Sequence, residues 1–158
     1  SAGGLLVGAT VNLAPELFRA GVAEVPFVDV LTTMLDDTLP LTPPEWPEWG
    51  NPIESAKAYA IIKAYAPYEN IRATNYPHIL ATGGLTDPRV TYWEPAKWVA
   101  RLRARRTDDG LTLLRTEMTA GHGGKAGRFN QLHEIAFVYA FVIFVHTGFR
   151  ENNNDNGL

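Results

Sequence analysis

The chain of 158 residues is 46% hydrophobic and 20% charged, a composition typical of a single globular domain. Its formal net charge of −3 argues against a nucleic-acid partner, since such partners attract strongly basic surfaces. The lack of cysteine excludes disulfides, thiolate metal sites and a thiol nucleophile, and it fits a protein of the reducing cytoplasm.

The first half of the chain predicts a helix, a strand and a second helix. Residues 3–13, GGLLVGATVNL, are rich in small residues and predict a closely packed helix that ends before Pro15. Residues 21–30, GVAEVPFVDV, form an apolar run that indicates a buried strand. Residues 54–65 carry apolar side chains three and four positions apart, which predicts a helix that Pro67 ends.

The second half predicts the same alternation. Residues 77–83, PHILATG, indicate a strand that ends at glycines. Residues 93–106 predict a helix with Pro95 in its first turn, where the missing N–H costs little. A third strand over 111–118 and a last helix over 129–147 complete the series.

This alternation predicts an α/β fold, and right-handed crossovers between successive strands lead to parallel pairing. We assign residues 1–150 to one domain and expect the polar segment ENNNDNGL, residues 151–158, to be disordered. The longest apolar run, residues 135–145, has 11 residues. A membrane span needs about 20, so we predict a buried helix or one with a wide apolar face, and no membrane partner.

Four residues lie where the active sites of parallel sheets gather, at the carboxyl ends of strands. Asp29 ends the first predicted strand, Asp87 follows the second, His122 follows the third, and Ser1 directly precedes the first helix. A histidine can take the proton of a serine hydroxyl, and a carboxylate on its other ring nitrogen fixes the tautomer. The order Ser, Asp, His is that of the α/β-hydrolases.

The simpler interpretations of these residues stay open at this point. Ser1 also suits a helix N-cap or a cloning remnant, and Asp87 before a proline suits a turn. If Ser1 is a nucleophile, the N–H of Ala2 at the helix start is placed to donate to an oxyanion. Asp29 is the alternative acid.

Seven stretches give the chain a resemblance to the oligopeptidase B branch of the prolyl oligopeptidase family of serine peptidases. They extend over more than nine tenths of the chain and are SAGGLLVGA, VPFVDVLTTMLD, LPLTPPEW with EWGNP, APYEN, YPHIL, DPRVTYWEPAKWVA and GHGGKAGR. The resemblance implies the carboxyl-terminal part of an α/β-hydrolase catalytic domain, acting without a cofactor. It also implies cleavage of oligopeptides after Arg or Lys.

Residue by residue, the resemblance implies a nucleophile at Ser1, an acid at Asp87 and a base at His122. It further implies Ala2 as an oxyanion donor and Arg89 as a ligand of a substrate carbonyl. Glu45 matches a carboxylate that holds the basic P1 side chain. The family often has a second glutamate two residues later, where this chain has Pro47. We therefore expect weaker discrimination for Arg, which Glu48 could offset only if the loop is repositioned.

The strand and glycine that precede the family's nucleophile, the second oxyanion donor and the amino-terminal propeller have no counterpart in these 158 residues. We therefore expect a fragment whose principal partner is the missing amino-terminal part of the same protein. Unpaired strand edges and an exposed apolar face would make residues 1–158 unstable or associated on their own.

Three other functions remain alternatives at this level. They are an esterase of the same fold, an inactive structural or interaction fragment, and an amino-terminal nucleophile that uses its own α-amino group as the base. The basic run RLRARR at 101–106 indicates a solvated helix face, because acidic residues follow it. His78, His133 and His146 lack the spacing of a metal site.

Overall fold

The computed structural model describes residues 1–147. The predicted tail, residues 151–158, lies outside the described residues. Six helices and three strands occur within the described part of the chain. They are α1 Ala2–Leu13, β1 Ala20–Ala23, α2 Val30–Met34, α3 Thr42–Trp49, α4 Ala56–Tyr65, β2 His78–Gly84, α5 Trp93–Arg105, β3 Thr112–Glu117 and α6 Arg128–Thr147, with a short 3₁₀ turn at Pro15–Leu17 after α1.

The three strands form one parallel sheet in the order β1-β2-β3. Ala20 of β1 lies opposite His78 of β2, and Ile79 of β2 lies opposite Thr112 of β3. Parallel neighbours need a crossover, which helices provide here between successive strands. The α/β class and the parallel pairing predicted from the sequence are therefore confirmed.

The predicted strand 21–30 is wrong over residues 24–30, because β1 ends at Ala23. Val25 has a positive φ of 41°, which a β-branched residue adopts only where its surroundings impose it. Its N–H is bonded to Thr82 Oγ1 at 3.2 Å, and Pro26 next to it has no N–H to give to a sheet. Of the apolar residues that follow, Val28 is buried with residues of α1 and α5, whereas Phe27 and Val30 are buried with Ile62 of α4.

Helices α2 and α3 were not predicted. The prolines of α3 lie mostly in its first turn, where the missing N–H groups would have no intrahelical acceptor. Thr42 Oγ1 donates to Thr33 O at 2.8 Å, and Trp46 Nε1 donates to Met34 O at 3.1 Å. These side-chain contacts with α2, rather than helix propensity, hold the proline-rich segment in place.

The small residues of α1 allow close packing, as the sequence predicted. A Cβ at Gly4 would overlap Pro26, and a Cβ at Gly8 would lie 2.8 Å from Pro67 Cβ. Val11 and Ile79 join α1 to one face of the sheet, and Trp98 brings α5 to the same face. The opposite face, reached by Leu80, is covered by α6.

Helix α6 packs on the sheet along one side only. Phe141 and Val145 are buried against Leu80, whereas Tyr139 and Ile143 are 64% and 60% exposed. Of the two predicted alternatives, a wide apolar face describes this helix better than full burial. By length and hydropathy alone, residues 129–147 would suffice to cross a membrane.

Candidate active site

Asp87 lies in the tight turn that follows β2, and its side chain is buried. Its Oδ1 accepts the N–H of Arg89 at 2.8 Å and that of Val90 at 3.0 Å. These two bonds fix the carboxylate by the local backbone, as an aspartate before a turn commonly does. The other oxygen, Oδ2, is free to accept a hydrogen bond from the loop after β3.

His122 is the residue that contacts this oxygen. It lies in a glycine-rich turn after β3 that is closed by a hydrogen bond from Gly124 N to Gly121 O at 3.1 Å. Its Nδ1 lies 2.7 Å from Asp87 Oδ2, and 22% of its side chain is exposed. Since a carboxylate accepts, Nδ1 carries the proton. Nε2 is therefore the ring nitrogen able to act as a base.

Gly84 at the end of β2 allows the two loops to meet. A Cβ at this position would lie 2.6 Å from the carbonyl oxygens of both Ala120 and Gly121. Thr86 N also donates to Ala120 O at 3.4 Å. The loop after β3 thus passes directly over the end of β2, which brings His122 to the carboxylate.

Ser1 is held by its backbone rather than by its side chain. Its carbonyl accepts the N–H of Phe27 at 3.0 Å, in addition to N–H groups of the first turn of α1. Among the described side chains, its exposed hydroxyl has no hydrogen bond. Ala2 is the first residue of α1, so its N–H has no acceptor within the helix. The structure therefore joins Asp87 to His122 but does not bond Ser1 to either.

Asp29, the alternative acid, lies elsewhere. Its side chain is fully buried and forms an ion pair with Lys97 of α5. Oδ1 of this carboxylate has no hydrogen-bond partner among the described residues. The side chain that contacts His122 is that of Asp87, whereas Asp29 contacts Lys97.

The predicted substrate-binding side chains lie on two elements. Arg89 is exposed beside the Asp87 turn and forms no ion pair with the described side chains. Glu45 is half-buried on α3, where its Oε2 accepts a hydrogen bond from Trp49 Nε1 at 3.3 Å. Glu48 is exposed on the same helix. Helix positions three apart are neighbours and positions two apart are not, so Glu48 lies closer to Glu45 than residue 47 does.

A cavity of about 280 Å³ opens beside His122. Glu24, Thr82, Arg115 and Glu134 contribute to its walls. Within residues 1–147, no group of three His, Cys, Asp or Glu side chains has the arrangement of a metal site. The chemistry that this arrangement offers is proton transfer by the histidine, with the space for a substrate next to it.

The model of the prolyl oligopeptidase family matches residues 1–146. The chain belongs to this family. It is 57% identical over 143 residues to Protease 2 of Moraxella lacunata, a match that covers 90% of this chain and 21% of that protein. It is 54% identical over 143 residues to dipeptidyl aminopeptidase BI of Pseudoxanthomonas mexicana, with 90% and 20% covered.

Solved structures give the same result. Oligopeptidase B from Leishmania major superimposes with a TM-score of 0.88 at 50% identity, over 90% of this chain and 20% of that one. Oligopeptidase B from Trypanosoma brucei, solved with covalently bound antipain, gives 0.87 at 50% identity, with the same coverage. The fold is therefore that of the family's α/β-hydrolase catalytic domain. The chain spans about a fifth of the length of these relatives.

The sequence indicated no role for Glu94 of α5, which is 1% exposed. Its Oε2 accepts the N–H groups of Val28 and Asp29, both at 3.0 Å, and its Oε1 accepts from Thr33 Oγ1 at 2.7 Å. Burial raises the pKa of Glu94 to about 7, against the lowering effect of these hydrogen bonds. A usable signal was present, since Glu94 shares the apolar helix face of Trp98 and Leu102 at spacings of four.

The basic run 101–106 is less solvated than the sequence indicated. Arg101 stacks on the ring of Tyr68, and Arg103 Nε donates to Thr112 O at 2.8 Å. The guanidinium of Arg106 is buried, where it pairs with Asp108 at 2.6 Å. These three arginines tie α5 to its surroundings, whereas Arg105 is exposed.

Proposed function

We propose that this chain supplies the catalytic residues of a serine oligopeptidase that cleaves peptides after Arg or Lys. The observation that carries the proposal is the pair formed by Asp87 and His122, 2.7 Å apart. The pair lies at the carboxyl ends of adjacent parallel strands, where α/β enzymes bind their substrates. Membership of a peptidase family and the acidic residues of α3 support the same conclusion.

In this proposal Ser1 attacks the scissile carbonyl while His122 Nε2 takes its proton. Asp87 holds the ring tautomer and stabilises the imidazolium that forms. The N–H of Ala2, at the positive end of α1, donates to the developing oxyanion. His122 then gives its proton to the leaving amine. In deacylation His122 takes a proton from water as it attacks the acyl carbon, and returns that proton to the Ser1 oxygen as the ester bond breaks.

Substrate contacts follow from the charges available. The guanidinium of Arg89, exposed beside the acid, binds a backbone carbonyl of the substrate. Glu45 and Glu48 attract the cationic P1 side chain from neighbouring positions of α3. Peptides with basic residues are therefore the proposed substrates.

We further propose that the chain works together with polypeptide that completes the enzyme on the amino-terminal side, in the cytoplasm. Within residues 1–147, β1 and β3 each have an unpaired edge and one side of α6 is apolar and exposed, which supports a partner. The lack of cysteine supports the compartment. Sedimentation and thermal melting of residues 1–158 test the need for a partner polypeptide, since a monodisperse, cooperatively melting monomer would contradict it. Cell fractionation tests the cytoplasmic location.

The decisive experiment uses the complete enzyme and an arginine amide substrate with a blocked amino terminus. We expect hydrolysis after Arg and labelling of Ser1 by a fluorophosphonate. Ser1→Ala should lower kcat by about 10⁶-fold, as loss of a serine nucleophile does in comparable enzymes. Activity only on peptides with a free amino terminus would instead indicate a dipeptidyl aminopeptidase. No turnover with intact association would indicate a structural fragment.

A further inference from the structure

Glu94 lies at the centre of a hydrogen-bond network that joins three elements of the site. Its carboxylate is buried at the start of α5, the helix that follows the Asp87 turn. Both oxygens are occupied, Oε2 by two backbone N–H groups and Oε1 by the hydroxyl of Thr33. A buried carboxylate is retained only where such donors compensate for its loss of water.

One branch of this network leads to Ser1. Glu94 binds the N–H groups of Val28 and Asp29, and the neighbouring Phe27 N–H donates to Ser1 O at 3.0 Å. Pro26 in the same segment lies against Gly4 of α1. The position of segment 26–29 therefore determines where the backbone of Ser1 lies.

The second branch leads to α3. Thr33, bonded to Glu94 through its hydroxyl, offers its own carbonyl to Thr42 Oγ1 at 2.8 Å. Thr42 is buried at the first turn of α3, the helix that carries Glu45 and Glu48. Two hydrogen bonds in series thus join α5 to the helix of the acidic side chains.

We infer that Glu94 is a positioning residue that sets the place of Ser1 and of the acidic helix α3 relative to Asp87. The inference rests on the proposed function. Alanine in place of Glu94 would leave three donors without acceptors and free both branches. Glutamine in the same place keeps the shape and one strong acceptor oxygen. Its side chain can therefore still bind the two N–H groups while Thr33 turns its hydroxyl to accept.

The test uses the complete enzyme with Glu94→Ala, Glu94→Gln and Thr33→Val. Exposed Glu54→Ala serves as the matched control, because it removes a carboxylate from the surface. Two blocked amide substrates are compared, one with Arg and one with a neutral residue at P1. The readouts are kcat, KM and the rate of fluorophosphonate labelling at Ser1.

We expect Glu94→Ala to lower kcat on both substrates by about 10²-fold, the effect of a small displacement of a reacting group. Glu94→Gln should restore most of that loss. Thr33→Val breaks only the second branch, so it should lower the preference for Arg over the neutral substrate about tenfold, with kcat on the neutral substrate unchanged. The Glu54→Ala variant should match the unsubstituted enzyme.

Unchanged kinetics in Glu94→Ala would overturn the inference. So would an equal loss on both substrates in Thr33→Val, because a merely structural role would not separate them. If Glu94→Ala does not fold, Thr33→Val and Glu94→Gln decide the question. An unsubstituted enzyme that neither labels at Ser1 nor cleaves the Arg substrate would instead overturn the proposed function itself.

Discussion

The two halves of the proposed triad are built in different ways. Asp87 is buried and satisfied by its own turn, and its free oxygen meets His122 through a loop that Gly84 lets pass. Ser1 is exposed, and only its backbone is bonded. The acid and base follow strands that pair directly with each other, so local sheet geometry assembles them. The nucleophile depends on a segment held by other elements.

The largest effect on the acid–base half should come from Asp87→Asn. Asparagine cannot keep His122 in the productive tautomer, so we expect kcat in the complete enzyme to fall about 10⁴-fold. Asp29→Asn is the matched control, because it removes a buried carboxylate that contacts Lys97 rather than His122. Its main effect should be a lower melting temperature. A larger loss of kcat in Asp29→Asn would reverse the assignment of the acid.

Stability as a function of pH probes the Glu94 network beneath the nucleophile. Burial raises the pKa of Glu94 to about 7, and the charge of Asp29 nearby, itself paired with Lys97, adds to the rise. A raised pKa means that the folded state holds the proton more tightly. The resulting stabilisation is complete below the unfolded pKa near 4.5 and is lost as the pH rises through 7.

The free energy of unfolding should fall by about 3 kcal/mol as the pH rises from 4.5 to 7. Glu94→Gln should remove this part of the pH dependence, because glutamine does not titrate. Chemical denaturation at several pH values between these limits measures it, with the exposed Glu54→Gln as control. Equal slopes in the Glu94→Gln variant and the unsubstituted protein would contradict a raised pKa at this site.

Gly84→Ala should separate the acid from the base without changing either side chain. The added Cβ would lie 2.6 Å from two backbone oxygens, so the loop that carries His122 must move. We expect kcat to fall about 10²-fold through this displacement. Gly123→Ala in the same loop is the control, since its Cβ would meet nothing within 4 Å. A similar loss in both variants would show that the loop tolerates no substitution at all.

The smallest effect should come from the substrate side, where both halves of the triad stay intact. Glu48→Gln should lower the preference for Arg over a neutral P1 residue a few-fold, about the value of one exposed charge pair. Pro47→Glu should change that preference less, since position 47 does not share the helix face of Glu45. Ratios of kcat/KM for the two substrates measure both. A larger rise in the preference for Arg from Pro47→Glu would show that the P1 side chain is held by two carboxylates two residues apart, as in the family.

Helices with strong periodicity and the alternation of helices with three strands followed from local sequence. Residues 54–65, 93–106 and 129–147 were each predicted to within two residues, because apolar spacing and prolines mark a helix directly. Residues 24–30 were misassigned because an apolar run indicates burial but not what covers it. Their apolar side chains pack on residues of α1, α4 and α5, which are distant in the chain.

By itself, the sequence determined the α/β class, the parallel pairing and a set of residues whose types suit acid–base chemistry, since these depend on periodicity and residue type. The resemblance implied Asp87 as the acid, but only the tertiary structure placed its carboxylate, rather than that of Asp29, against His122 and joined Ser1 to α3 through Glu94. Those outcomes depend on contacts between residues tens of positions apart. Close packing at glycines and the burial of charge, rather than local propensity, select them.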